Sequence, residues 1–183
     1  MLTFSLYRRY ARNPDGSDKY KIWQINVYPT STNAVQVVTT LAYAWSSDTI
    51  FRGARWPPIL FGGFMNIICY SSLSVWSIPS GWRWACYVLA GCGGGLSGLI
   101  FAWSAEICSD DREERALVGA TMNEMAYVLQ SWLPLIVWQQ VDAPEYRIGC
   151  ITVSCISTVL IFTAIVTRQL WQRELLQYVL CTF

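Results

Sequence analysis

The chain has 183 residues, of which 54% are hydrophobic and 14% charged, and its formal net charge is +1. Soluble domains carry about 25% charged residues, so this composition argues against a soluble protein. No basic cluster with interleaved aromatic residues is present, which argues against nucleic-acid binding. Several of the ten Trp and ten Tyr residues lie at the ends of apolar runs, where membrane interfaces favour them.

The first 28 residues form a polar segment that resembles an inter-helix loop. The apolar stretch 1–6 is too short for a signal peptide and is followed by Arg8, Arg9 and Arg12. Residues 13–16 predict a turn. A chain that begins in a loop equivalent suggests that further sequence belongs upstream.

Five long uncharged runs follow, and each is long enough for a membrane-spanning helix of about 20 residues. They predict an all-α, polytopic transmembrane bundle over residues 29–168 and a C-terminal tail over 169–183. The predicted spans lie near 29–47, 57–76, 84–105, 116–138 and 148–167.

Helix boundary signals support these spans. Pro57 and Pro58 suit the first turn of the second span, and Asp110 with Glu113 predicts a capping box before the fourth. Pro134 predicts a kink inside the fourth span. Pro144 falls in the short turn before the fifth.

Basic residues in the loops predict the orientation. When the N-terminal segment is counted, seven basic residues on one side of the membrane stand against six on the other, and the positive-inside rule does not decide. When that segment is left out as the loop of a longer protein, Arg83 and Arg147 lie on the first side. The other side carries Arg52, Arg55, Arg112, Arg115, Arg168 and Arg173. The positive-inside rule then makes the second side, with the C-terminal tail, cytoplasmic.

The third span is rich in glycine. Gly93, Gly95 and Gly98 satisfy a GxGxxG pattern, but no preceding strand accompanies it, so a dinucleotide site is rejected. Small residues recur at helical spacing in two sets, which are Ala90, Gly94 and Gly98, and Gly91 with Gly95. Such spacing predicts close helix packing.

Glu124 is the one charge within the fourth span. A carboxylate at membrane depth is costly and usually faces a bundle interior or a watery path. Glu124 is therefore a candidate for proton coupling or substrate response, and a structural carboxylate is the open alternative. Asn123, Tyr127 and Gln130 share its helix face.

The first span carries a second polar stripe, formed by Asn33, Gln36, Thr40 and Tyr43. Both stripes are candidates to line a substrate path, and interhelical hydrogen bonding is the alternative. The second and fifth spans are mostly apolar, which predicts lipid-facing or scaffold positions.

Enzymatic and metal-binding functions are not expected. Seven cysteines occur without a CxxC pair, and the chain has no histidine, so a zinc site is not predicted. No nucleophile–base pair or set of catalytic carboxylates is evident, and no cofactor is expected. The acidic and basic cluster at 110–115 is interpreted as a solvated helix start.

Several motifs together carry a family resemblance. Residues 25–30, Ser47-Asp48, 55–58, 105–116, 122–127, 132–135 and 139–144 resemble the C-terminal half of fungal major facilitator transporters. The resemblance is to the pantothenate and allantoate permease type, in the anion:cation symporter group. It covers roughly residues 20 to 168 and matches the five spans to spans eight to twelve of the family.

The resemblance implies a proton-coupled plasma-membrane importer of small organic anions that works by alternating access. It implies that Asp48, Arg52 and Arg55 occupy a cytoplasmic gating loop, although the family's glycine-led pattern is absent. Ordinary solvated loop charges are the alternative for these residues.

The resemblance also implies an incomplete fold, because the family has twelve spans. We expect a truncated gene model or degenerate fragment that does not transport alone and that pairs with the missing N-terminal half or a full-length relative. The alternative is a non-transporting membrane protein that only interacts with other membrane proteins, for instance through the glycine face of span three.

Overall fold

A computed structural model describes residues 27, 29–75, 77–139, 142 and 145–181. Over these residues the chain is helical and contains no strand. The helices are α1 (Pro29–Thr49), α2 (Trp56–Ser74), α3 (Ser80–Leu89), α4 (Gly91–Gly94), α5 (Leu96–Ile107), α6 (Arg112–Val137) and α7 (Arg147–Cys181).

Each predicted span overlaps one helix or one run of helices, although the bounds predicted as 57–76 and 116–138 run past the last residues of α2 and α6. Among the described residues, two stretches are both long and apolar enough to cross a membrane, Ser80–Ile107 and Arg147–Glu174. For α1, α2 and α6 the crossing stays a prediction. The polar segment 1–28, apart from Val27, and the turn at Pro144 lie outside the described residues.

The last helix is longer than predicted. α7 has 35 residues, or about 52 Å at 1.5 Å per residue, against a hydrocarbon core about 30 Å thick. Most of the predicted tail therefore continues the fifth span as helix.

The third span is one run of helix that is interrupted at Ala90 and at Gly95. α3 ends before Ala90 and α4 ends before Gly95, and both residues keep right-handed helical dihedrals. The backbone N–H of Gly93 donates to the Ala90 carbonyl at 3.3 Å, which is the shorter i to i+3 pattern. Successive glycines weaken an α-helix because glycine loses more backbone entropy on folding than other residues. The departure from regular α-helix therefore falls at 90–95, where the glycines are concentrated.

α2 is the central helix of the bundle and packs most extensively against α7. Gly63 of α2 lets Ile161 approach closely, and Gly62 does the same for Leu96 of α5. Around these contacts lie two buried clusters. The first is formed by Cys69, Tyr70, Leu73, Cys86, Tyr87 and Cys150, and the second by Tyr43, Ile59, Leu96, Leu99, Trp103 and Ala164. The buried cysteines pack as small apolar side chains, as predicted.

α6 is the least packed of the long helices. Val137 is its one buried residue among those described, whereas Leu117 and Leu135 are largely exposed. α1 also turns an apolar face outward, at Val38 and Leu41. Apolar faces of this kind suit lipid or another helix.

The start of α6 corrects one prediction. The N-cap is Asp111, whose Oδ1 accepts a hydrogen bond from the Glu113 backbone N–H at 2.8 Å. Asp110 instead accepts from the Ser109 hydroxyl at 3.4 Å. The predicted Asp110–Glu113 box is therefore wrong by one residue, because the motif repeats at Asp111 and Glu114.

We expect Asp111→Ala to weaken the first turn of α6 by about 1 kcal/mol, since an N-cap side chain satisfies an otherwise unpaired N–H. Amide hydrogen exchange in residues 112–118 should accelerate roughly fivefold. Asp110→Ala is the matched control and should leave exchange unchanged. Equal effects of the two substitutions would contradict the assigned cap.

Candidate functional site

The loop between α1 and α2 is held by its own hydrogen bonds. Ser47 is fully buried and its hydroxyl donates to the Ala54 carbonyl at 3.2 Å. The backbone N–H of Gly53 donates to the Ser47 carbonyl at 2.9 Å, and Gly53 adopts a positive φ of 89°, a conformation that glycine adopts without steric cost. This closed turn places Arg55 at the N-cap of α2.

Arg55 joins the loop to the far end of α5. Its Nε donates to Oε1 of Glu106 at 2.6 Å, and its Nη1 lies 3.7 Å from Oδ1 of Asp48. The Arg55 side chain is 19% exposed, against 41% for Glu106 and 62% for Asp48. The Glu106 contact is therefore the stronger one, because it is shorter and better shielded from water.

This ion pair does not follow from the needs of the individual helices. Arg55 places a positive charge at the start of α2, and Glu106 places a negative charge in the last turn of α5. Each charge is unfavourable with respect to its own helix dipole. The two charges compensate only when α2 and α5 stay together, so the pair can lock one arrangement of these helices.

Arg52, the third predicted gating residue, lies in the same loop with a positive φ of 52°. It is exposed and forms no ion pair with any described residue. The structure thus joins two of the three predicted loop residues, Asp48 and Arg55, and leaves Arg52 outside the pair.

A second cation lies close by, at the end of the fifth span. The Arg168 guanidinium stacks 3.6 Å from the ring centroid of Trp56. Arg168, Arg55 and Glu106 line the same cavity. The loop, the end of α5 and the middle of α7 therefore form one charged cluster.

The polar stripe of α1 borders a small cavity in the bundle. Asn33 and Gln36 line it together with Asn66 and Tyr70 of α2 and the glycines of α4. Oδ1 of Asn66 is buried and accepts no hydrogen bond from any described residue. Thr40 faces a more open groove on the same side of α1.

Tyr43 departs from its predicted position. It is 7% exposed and belongs to the apolar cluster of Ile59 and Trp103. Ten residues separate it from Asn33, which turns it about 80° around the helix. That rotation carries Tyr43 away from the cavity and into the core, so the structure does not group it with Asn33.

The α6 stripe stands apart from the α1 stripe. Asn123, Glu124, Tyr127 and Gln130 are all exposed. The cavity at Asn33 and Gln36 is lined by α1, α2, α7 and the segment 90–94, and not by α6. Within the described residues, Glu124 therefore faces the outside of this bundle rather than its interior.

The small residues of the third span, predicted as two sets for close packing, differ in what they contact. A Cβ on Gly91 would lie 2.5 Å from the Thr32 carbonyl oxygen, and one on Gly95 would lie 3.0 Å from Oγ1 of Thr40. Gly94 meets the Gln36 side chain, whereas a Cβ on Gly98 would meet nothing within 4 Å.

Ala90 packs instead on the cluster around Tyr87. Ala90 and Gly94 both line the cavity at Asn33 and Gln36, so Gly98 is the member of its set with different surroundings, whereas Gly91 and Gly95 both approach α1.

Three residues of these sites were not among the predicted ones. Glu106 was noted only within the motif at 105–116, Arg168 was counted only as a cytoplasmic loop charge, and Asn66 lies in a span assigned to lipid-facing or scaffold positions. One signal was available for Glu106, because a carboxylate in the last turn of a helix is unfavourable unless a cation compensates it.

Comparisons with known proteins give clear relatives. The chain is 33% identical over 135 residues to the pantothenate transporter liz1 of Schizosaccharomyces pombe, covering 74% of this chain and 26% of that protein. It is 29% identical over 147 residues to the MFS transporter PfmaC of Pestalotiopsis fici, covering 80% and 26%. It is 26% identical over 134 residues to the pantothenate transporter FEN2 of Saccharomyces cerevisiae, covering 73% and 26%.

The matched part of the chain thus spans about a quarter of the length of these curated relatives. No family model matches the chain, and no solved structure matches it. The matches, the all-helical fold and the two apolar helices of membrane-spanning length agree with one another. The chain is an integral membrane protein that is related to the fungal major facilitator transporters.

Proposed function

We propose that this chain is part of a transporter that moves a small organic anion across the membrane. The substrate is a carboxylate of the pantothenate or allantoate kind, and a proton gradient drives its uptake. The pantothenate transporters among the relatives support the substrate class. Alternating access is the route, since related transporters move two halves around a site near the midplane.

The observation that carries the proposal is the bridge made by Arg55 between Asp48 and Glu106. Transport by alternating access needs contacts that hold one conformation and release in another. Arg55 joins a loop to the end of a distant helix, and both partner carboxylates are partly exposed. Such a bridge can break without leaving a fully buried charge, as a gate requires.

Orientation and organisation complete the proposal. Residues 29–168 form the membrane bundle, the polar segment 1–28 is a loop equivalent, and 169–183 lie on the cytoplasmic side of a plasma membrane. This places Arg55 and Glu106 at the cytoplasmic ends of α2 and α5. The other partners are the lipid bilayer and the remaining part of a complete transporter.

A segment exchange tests the function. The matched segment of liz1 is replaced by the corresponding residues of this chain, and pantothenate uptake is measured in cells that lack their own transporter. We expect uptake above the empty-vector level from the exchanged protein and none from the chain expressed alone. An exchanged protein that reaches the membrane but takes up nothing would contradict the proposal.

We propose that Glu124 takes part in proton coupling. In the exchanged protein, Glu124→Gln should lower uptake about tenfold and flatten its pH dependence, because glutamine keeps the shape but cannot carry the proton. Glu113→Gln, at the exposed start of the same helix, is the matched control and should behave like the parent. Parental uptake and pH dependence in Glu124→Gln would remove Glu124 from the mechanism.

A second candidate function rests on the outward apolar faces of α1 and α6. A chain that exposes such faces can associate with another membrane protein without transporting anything. Co-purification with a full-length relative, together with no uptake by the exchanged protein, would favour this function.

A further inference from the structure

A polar cavity and an apolar groove adjoin each other where α2, α5 and α7 meet. The first, which we name the Arg168 cavity, has a volume of about 170 Å³ and is lined by Arg55, Trp56, Glu106, Arg168, Trp171 and Gln172, among others. The second, which we name the Trp103 groove, has a volume of about 230 Å³ and includes Ile59, Ile100, Met122, Leu160 and Ala164. Trp103 lines both.

Among the described residues of the Arg168 cavity, Arg168 is a cation without a carboxylate partner. Both carboxylates near it, Asp48 and Glu106, are engaged by Arg55. Arg168 forms no ion pair with any described residue, and its buried Nε donates to none of them. Its guanidinium lies against Trp56, a stacking that leaves the in-plane N–H groups available to an acceptor.

The order of residues along the helices gives the site a polar end and an apolar end. The Arg168 cavity is lined by Trp56 of α2, Glu106 of α5 and Arg168 of α7. The Trp103 groove is lined by residues further along the same three helices. On α2 it reaches Ile59, and on α7 it runs back from Thr167 to Leu160. A ligand that fills both must carry an anionic head and an apolar chain.

We propose that the Arg168 cavity and the Trp103 groove together bind one anionic phospholipid. Arg168 and Gln172 would donate hydrogen bonds to the phosphate, and Trp171 would lie at the interfacial depth that tryptophan prefers. One acyl chain would occupy the Trp103 groove between α5, α6 and α7. Since α6 otherwise packs weakly, the lipid would also fill the space between it and the bundle.

Photocrosslinking in membranes tests this proposal without reference to transport. Membranes from cells that express the 183-residue chain are supplied with a photoactivatable phosphatidylinositol or phosphatidylcholine, and the labelled chain is quantified. We expect stronger labelling by phosphatidylinositol, with the label at residues of the Trp103 groove. Arg168→Gln should reduce that labelling about fivefold, the amount typical of one basic residue near an anionic lipid surface.

Two further variants make the result specific. Arg173→Gln removes an exposed arginine from the same helix, outside the cavity, and should label like the parent. Arg168→Lys keeps the charge and should retain more than half of the labelling, which separates loss of the cation from misfolding. Equal labelling of the parent, Arg168→Gln and Arg173→Gln would overturn the proposal.

Inorganic phosphate distinguishes a lipid from a soluble anion. Millimolar phosphate should leave phosphatidylinositol labelling unchanged, because the acyl chain contributes much of the binding. If phosphate alone abolished the labelling, the cavity would be a site for a soluble phosphate and the lipid proposal would fail.

Discussion

In the exchanged protein, Arg55→Gln is expected to reduce the initial rate of uptake about tenfold. The substitution removes the cation that contacts both Asp48 and Glu106. The Glu106 contact is short and Arg55 is largely shielded, so we assign it about 1 to 2 kcal/mol, above a fully exposed pair and below a buried one. A change of 1.4 kcal/mol shifts a conformational equilibrium tenfold, which is the expected loss if this pair holds one transport state.

A second substitution separates the pair from other effects of Arg55. If the loss arises from the unpaired Glu106 carboxylate, Arg55→Gln combined with Glu106→Gln should transport no worse than Arg55→Gln alone. Arg52→Gln is the matched control, because Arg52 lies in the same loop without an ion pair among the described residues. An equal loss in Arg52→Gln, or additive losses in the double variant, would contradict a gating role for the pair.

Gly91→Ala is expected to be the most destabilising of the glycine substitutions in the third span. Its Cβ would lie 2.5 Å from the Thr32 carbonyl oxygen and 3.3 Å from the Gln36 backbone nitrogen. Both atoms belong to the backbone of α1, so the helices must separate. Overpacking of this kind costs about 1 to 3 kcal/mol, and the midpoint of thermal unfolding in detergent should fall by about 2 to 10 °C.

Gly98→Ala supplies the opposite case on the same run of helix. Its Cβ would meet nothing within 4 Å, and alanine favours a helix over glycine by up to about 1 kcal/mol. The unfolding midpoint should stay level or rise slightly. A fall as large as that of Gly91→Ala would show that Gly98 also packs against another helix.

The positions of the helices followed directly from the sequence, whereas the faces they present did not. Uncharged runs near 29–47 and 148–167 already predicted helices there, because the length of an apolar run is a local property of the chain. The N-cap of α6 was predicted less well, because the sequence pointed to Asp110 and the structure uses Asp111. Two adjacent residues can each offer a carboxylate, and only the path of the backbone decides which one accepts the hydrogen bond.

The candidate site shows the same division. Asp48 and Arg55 were predicted as neighbours in one loop, but Glu106 joined them from a helix end 51 residues further along the chain. No local pattern predicts that contact, since it depends on how α2 packs against α5. Glu124 is the opposite case. Its position in the sequence predicts a function, but the described residues of the bundle supply no partner for it.

The sequence by itself determined the all-α membrane class, the approximate bounds of the helices and the resemblance to major facilitator transporters. Those properties depend on hydrophobicity, length and short motifs, which are local. Tertiary structure alone decided that Tyr43 lies in the core, that Gly91 and Gly95 rather than Gly98 meet α1, and that Arg55 pairs with Glu106. These outcomes depend on helix rotation and on contacts between distant segments, because a turn of less than 100° moves a side chain from a cavity to the core.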